Sequence, residues 1–200
     1  MQVEATQIPG AWFFTPVLRS DDRGIFLESF KGSVFQETVG HPFDLQQMNI
    51  SVSKIGTVRG IHFADVPPGQ AKYVQCLHGR VLDVVVDIRV GSPTFGHWDS
   101  IELDSEARQG LYISEGLGHA FCALTESATV GYLCSESYAP AREHGINPLD
   151  SELGISWPSS PNLVLSDKDA AAPSLAEAVN VGLLPEYSEC EDWIAKQKSR

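Results

Sequence analysis

The chain has 200 residues, 42% of them hydrophobic, with 17 glycines and 12 prolines: apolar material for one sizeable core and turn residues for many short elements. A formal net charge of −12 repels phosphate backbones and argues against nucleic-acid or anionic-membrane partners, so an anionic ligand would need a local basic pocket. No run approaches the roughly 18 apolar residues of a membrane span, and "MQVEATQIPG" lacks the regions of a secretory signal, so a cytoplasmic location is expected.

From residue 11 to 137, runs rich in Val, Ile, Phe and Tyr are cut by Gly, Pro and Asp turns every roughly 8 to 12 residues, the rhythm of an antiparallel sandwich or barrel. The expected strands are, in order, "AWFFTPVL", "GIFLESF", "DLQQMNISVS", "TVRGIHFA", "AKYVQCLHG", "RVLDVVVDIR", "HWDSIELD", "GLYIS", "HAFCALT" and "TVGYLCSESY". One insertion, "GSVFQETVG", reads as helix. After Tyr138, "APAREHGINPLDSELGISWPSSP" is polar and turn-rich and is expected to wrap the sheet rather than join it. Ser174 can cap a helix over "LAEAVNVGLL", whose Leu175, Ala178, Val179 and Leu183 keep helical spacing, and "YSECEDWIAKQK" makes a second short helix. No repeat or linker divides the chain, so residues 1–200 are expected to form one domain.

Cys76, Cys122, Cys134 and Cys190 have no metal-like or CxxC spacing and read chiefly as small buried hydrophobes. His62, in "TVRGIHFADVPPGQAKYV", admits three readings: metal ligand, catalytic base or packed core histidine. A strand presents residues i and i+2 to one interior, so a metal-binding barrel would place a second ligand at 64, where this chain has Ala. Regular alternation puts Val58, Gly60 and His62 on one face and Arg59 on the other. A bulge at Gly60 would bring Arg59 and His62 together. Lys72 reads as a solvated edge residue or a paired interior cation. Asp83 and Asp87, four apart, share one strand face as surface charges or as partners for Lys72. Tyr132 is by frequency a core residue.

An ordered series of motifs runs "DDRGIFLESF", "RGIHF", "PPGQAKYV", "DVVVDIRVGSPTFG", "EGLGHAF", "YLCSESYAPAREHGINPLD", "ISWP" and "LSDKDAAAP". Over nearly the whole chain this series resembles the dTDP-4-dehydrorhamnose 3,5-epimerase family. The resemblance implies an all-β, cupin-like jelly-roll barrel with short C-terminal helices, a homodimer that exchanges strands, no cofactor and no metal. The substrate it implies is a dTDP-4-keto-6-deoxy sugar. His62 matches the catalytic base, Asp169 the partner that orients it, Lys72 the cation near the sugar C4 oxygen, and Tyr132 the acid that returns a proton from the opposite face. Arg23, Gln47, Asn49, Arg59 and His119 match nucleotide diphosphate or sugar contacts, and Phe26, Glu28, Tyr138 and Glu143 match the lining of the thymidine and sugar sites.

"MNISVS" after Gln47 and "GLGHAF" depart from the rhamnose-pathway pattern and, with "PPGQAKYV" and "PAREHGINPLD", resemble the antibiotic-sugar branch, whose members invert C3 alone or C5 alone. The expected reaction is inversion at C3, with C5 a second candidate position. The alternatives are a 3,4-ketoisomerase, a catalytically silent sugar-nucleotide binding module and a metal-dependent cupin oxygenase.

Overall fold

The computed structural model describes residues 1–159 and 162–199. Its strands are β1 (Gln2–Ala5), β2 (Ala11–Thr15), β3 (Arg19–Asp21), β4 (Gly24–Phe26), β5 (Gln47–Lys54), β6 (Val58–Ala64), β7 (Lys72–His78), β8 (Arg80–Val86), β9 (Trp98–Asp104), β10 (Gly110–Ile113), β11 (Gly118–Ala123), β12 (Ser127–Cys134) and β13 (Glu143–Gly145). The helices are α1 (Gly32–Val39), α2 (Asp167–Ala170), α3 (Leu175–Asn180) and α4 (Tyr187–Lys198). A six-stranded sheet in the order β1-β2-β10-β7-β12-β5 faces a five-stranded sheet in the order β13-β6-β11-β8-β9, and β3 and β4 form a separate hairpin. All strand pairs within these sheets are antiparallel. This is a cupin-like jelly roll with short C-terminal helices.

Three apolar layers explain which strands alternate. Val74 and Cys76 from β7, Val81 and Val85 from β8, Leu111 and Ile113 from β10, and Val130 from β12 fill the space between the sheets. Val84 and Val86, the alternate residues of β8, pack outward with Ile61, Phe63, Leu175 and Ala178. Because α3 covers that outer face, "VLDVVV" is apolar on both sides and does not alternate. A third layer joins Phe14, Tyr73 and Tyr112 to Phe35 and Val39 of α1. Each fully buried aliphatic or Phe side chain contributes about 1.5–3 kcal/mol relative to leaving it in water.

The helices begin and end as their residues dictate. Ser174 and Glu177 form a reciprocal capping box at the start of α3. Gly40, at φ 94°, closes α1 by donating its N–H to the Gln36 carbonyl. β1, β3 and β13 are absent from the strands expected from the sequence, and "GIFLESF" is strand only through Phe26. The segment expected to wrap the sheet contributes β13 to a sheet edge instead, and its positions 160 and 161 lie outside the described residues.

Both aspartates of β8 and its extension are fully buried, which corrects their reading as surface charges, and of the two only Asp83 acts on Lys72, through its charge. β8 ends at Val86, so Asp87 is released from the strand's alternation. Its carboxylate accepts from Arg89 Nη2 at 2.7 Å and from the Ser92 and Thr94 hydroxyls at 2.6 Å each. Arg89, 1% exposed, also donates to the Pro9 carbonyl, so this buried ion pair ties the N-terminal strands to the loop after β8. All four cysteines are free and buried.

Candidate active site

A cavity of about 460 Å³ opens between the two sheets. Alternation on the six-stranded sheet supplies one wall. Lys72 shares the inward face of β7 with Val74 and Cys76, Tyr132 that of β12 with Val130, and Asn49 stands opposite Tyr132 in the register of β5 and β12. Arg59 and His62 of β6 supply the facing wall, and Gln70, Tyr138, Glu143, Ser166, Lys168 and Asp169 complete the lining.

Regular alternation would separate Arg59 from His62, but β6 is bulged. His62 pairs with His119 and Arg59 with Phe121, so two residues of β6 stand against Ala120 alone. Gly60 is at φ 122°, and a Cβ there would lie 2.5 Å from both the His119 carbonyl oxygen and the Ala120 Cβ. Only glycine fits, and the extra residue turns Arg59 to the side of the sheet that His62 faces. The Arg59 Nε donates to Ser53 Oγ at 3.0 Å, which anchors the guanidinium across to β5.

His62 Nε2 lies 2.7 Å from Asp169 Oδ1. Asp169 sits in the first turn of α2, where its backbone N–H donates to Ser166 Oγ at the helix cap. Burial pushes its pKa up, but hydrogen bonds from His62, Ser166 and the Gly60 backbone outweigh that and hold the carboxyl below its ordinary value. An ionised carboxylate requires Nε2 to carry the hydrogen it accepts. In the neutral imidazole the other ring nitrogen then presents a lone pair, the form a general base needs.

Lys72 is 8% exposed, so it is an interior cation rather than a solvated edge residue. Burial lowers its pKa, while the charges of Glu143, Cys134 and Asp83 act in the opposite direction. Among the described residues no carboxylate comes within ion-pairing distance of its ammonium. The cation is therefore available to an anionic oxygen in the cavity. Burial, with a smaller contribution from Cys134, raises the pKa of Tyr132 against the opposing effects of Asn49 and Arg59, so its phenol holds its proton at neutral pH.

The remaining expected residues fall in three places. Asn49, Arg59, Tyr138 and Glu143 line the cavity with the four central groups. Gln47 supports it from the side, donating to Asn49 Oδ1 at 2.8 Å and accepting the Tyr138 backbone N–H at 2.9 Å. His119 is buried beside the cavity and held by Asp83 at 2.8 Å. Arg23, Phe26 and Glu28 are on or beside the β3–β4 hairpin and outside the cavity lining. Arg23 pairs with Asp21, Phe26 is 67% exposed, and Glu28 pairs with Lys31.

Sequence reasoning passed over Gln70, Ser166 and Lys168, although "LSDKD" sets the last two beside Asp169. Among the described residues no group of three or more His, Cys, Asp and Glu side chains is arranged to hold a metal ion.

The family model described as dTDP-4-dehydrorhamnose 3,5-epimerase matches residues 5–177. A Mycolicibacterium smegmatis protein named dTDP-4-dehydrorhamnose 3,5-epimerase is 57% identical over 97% of this chain and 96% of its own. The structure of the Mycobacterium tuberculosis rmlC epimerase superposes with a TM-score of 0.96 at 48% identity, covering 98% of this chain and 100% of that one. ChmJ, a 3'-monoepimerase from Streptomyces bikiniensis in complex with dTDP-quinovose, superposes with a TM-score of 0.95 at 49% identity, covering 98% of each chain. The motif series and the jelly roll thus agree with the comparisons, and the chain belongs to the dTDP-4-dehydrorhamnose 3,5-epimerase family.

Proposed function

We propose that this protein is an epimerase that inverts C3, and as a second position C5, of a dTDP-4-keto-6-deoxyhexose through an enolate, without a cofactor. The observation that carries this reading is the convergence of the His62–Asp169 pair, the Lys72 ammonium and the Tyr132 phenol on one cavity. A proton beside a ketone becomes acidic because the resulting charge spreads onto the carbonyl oxygen. A preorganised cation at that oxygen lowers the barrier where the charge develops. Lys72 is suited to that place, and His62 to removing the proton, which passes to its second ring nitrogen while Asp169 steadies the imidazolium.

Inversion needs a donor on the other face of the sugar. His62 projects from the five-stranded sheet and Tyr132 from the six-stranded sheet, so a sugar ring between them meets a base on one side and a phenolic acid on the other. Tyr132 delivers its proton to the carbanionic carbon, and the carbonyl re-forms. The diphosphate would be held by Arg59 and Lys168, the local basic pocket that an acidic chain requires. Tyr138, 60% exposed at the cavity, offers a stacking surface for the thymine.

The working form in this reading is a homodimer. β5 is an edge strand whose outward residues Met48, Ile50 and Val52 are 55%, 61% and 65% exposed, an apolar row unusual for an unpaired edge. Arg23, Phe26 and Glu28, on a hairpin apart from their own cavity, would reach the nucleotide site of a second copy. The whole chain acts as one domain, and its location is the cytoplasm.

The deciding experiment is incubation with dTDP-4-keto-6-deoxyglucose in deuterium oxide. Proton NMR should show deuterium at C3, with or without C5, and the inverted epimer. A ketone moved to C3 would establish a 3,4-ketoisomerase instead, and neither exchange nor rearrangement would leave a binding module.

A further inference from the structure

β13 is three residues long and has only one strand neighbour, yet it carries Glu143 into the cavity. Its register on β6 sets Glu143 opposite Ala64, His144 opposite Phe63 and Gly145 opposite His62. Glu143 and His62 therefore share one side of this edge, while His144, which also borders the cavity, packs its ring 5.5 Å from that of Phe63. His144 Nε2 lies 2.7 Å from Oδ1 of Asp65, the residue after β6 ends. The Asp65 backbone N–H also donates to the Arg142 carbonyl at 3.0 Å. Asp65 thus grips the entry to β13 by backbone and side chain together. At the other end, Ile61 and Ile146 exchange two backbone hydrogen bonds of 3.0 and 3.1 Å.

We infer that Asp65 and His144 form a positioning pair, a latch that holds β13 on β6 and so keeps the Glu143 carboxylate beside Lys72. The inference rests on the epimerase reading for its catalytic consequence, though not for the geometry. Glu143 is placed by this strand and by Gln70, whose Nε2 approaches its Oε1 at 3.5 Å and donates to the Glu136 carbonyl at 3.0 Å. A contact that long leaves the strand as the stronger constraint. Asp65 lies outside the cavity lining and His144 borders it with its Nε2 committed to Asp65. They act by setting the distance between one carboxylate and one ammonium.

That distance has a measurable electrostatic result. Lys72 is surrounded by Glu143 on β13, Cys134 and Tyr132 on β12, Asp83 on β8 with His119 of β11 bound to it, and Arg59 and His62 on β6. Among these, Glu143 is the leading influence keeping the ammonium protonated against burial. If β13 loosens, that support weakens and Lys72 loses its proton at lower pH. The cation that would stabilise the enolate then disappears earlier on the alkaline side.

The test uses the full-length protein and Asp65→Ala, His144→Ala, the double variant, and Glu143→Gln. The Lys72 13Cε resonance is followed through a pH titration, which reads the ammonium directly and needs no turnover. Both single variants should lower the Lys72 midpoint. The double variant should lower it no further than either one, and Asp65→Ala should add nothing in the Glu143→Gln background. Epimerisation rates should lose their alkaline limb in step, about tenfold for each pH unit of displacement once the cation is titrated. His144→Gln, which can still donate to Asp65, should recover most of the shift. Unmoved Lys72 midpoints in folded Asp65→Ala and His144→Ala would overturn the latch while leaving the epimerase reading intact. Moved midpoints in a protein that does not epimerise would keep the latch and remove the reading.

Discussion

His62 and Asp169 stand 107 positions apart in the chain, and their side chains meet at 2.7 Å. The carboxylate comes from a four-residue helix whose cap, Ser166, also lines the cavity, so the pair is fixed from both sides.

His62→Ala should abolish epimerisation while leaving dTDP affinity nearly unchanged, because the imidazole serves the sugar rather than the nucleotide. Loss of a general base costs about 10² to 10⁴ in rate. Steady-state kinetics beside dTDP calorimetry would check it, and turnover within tenfold of wild type would remove His62 from the role. Asp169→Asn should lose less, since it acts through the ring.

Asp169 also makes a pH prediction. Its folded pKa lies below the ordinary value, so its stabilisation is present above the unfolded pKa of about 3.9 and is lost as pH falls through the folded value. In Asp169→Asn that component of acid destabilisation should vanish, giving a flatter Tm profile below about pH 4. A wild-type-like acid limb in the variant would show that the pair does not contribute there.

Tyr132→Phe should separate exchange from inversion. The enolate still forms beside Lys72, but the proton source left in reach is the histidine that took the first proton. Deuterium should therefore enter C3 while the configuration is mostly retained. Inversion at the wild-type rate would assign that face to another acid, and wild-type exchange confined to C5 would overturn the preference for C3.

The strands were legible because their residues alternate or are continuously apolar, and α1, α3 and α4 because their spacing and caps are local features. β1, β3 and β13 were not, since "QVEA", "RSD" and "EHG" are short and largely polar and become strands only by pairing with their neighbours. Asp87 departs from the expected alternation because β8 ends at Val86, three residues short of the run "RVLDVVVDIR". The shared face of Arg59 and His62 depended on whether Gly60 bulged, which composition could suggest but only the pairing with β11 decides. The partnership of His62 with Asp169 has no periodicity at all. It was reached through resemblance to a family, and the fold supplies its geometry.

Removal of divalent metal should leave the reaction unchanged. His62 has Ala64 two residues on, and its near carboxylate is engaged as an orienting partner rather than as one of several converging ligands. Exhaustive chelation followed by the deuterium exchange assay checks this. Activity lost on chelation and restored by one divalent ion would replace the acid–base mechanism.

Gly60→Ala should damage the site without touching a reacting group. The positive φ and the approach to the His119 carbonyl and Ala120 leave no room for a Cβ, so β6 must shift or straighten. Strain of this kind costs about 1–3 kcal/mol. The expected outcome is a lowered Tm with a rate loss larger than global unfolding explains, because Arg59 and His62 no longer share a side. A folded variant of wild-type activity would show that the bulge is dispensable.

The strongest test of the proposed dimer mixes two impaired variants. Arg23→Ala should weaken dTDP binding and His62→Ala should abolish turnover, each in both sites of its own homodimer. If Arg23 serves the cavity of the other copy, a hybrid of the two places both lesions in one site and leaves the second site with an intact His62 and an intact Arg23. Unfolding and refolding the variants together should then give more activity than either shows alone, and the restored sites should bind dTDP with wild-type affinity. If Arg23 instead acted within its own chain, every site in the hybrid would carry one lesion and mixing would restore nothing. A third variant, Ile50→Asp, places a charge in the apolar row of β5 and should yield monomers by light scattering, with dTDP affinity falling as it does in Arg23→Ala. Monomers that keep full affinity and turnover would dismiss the shared site.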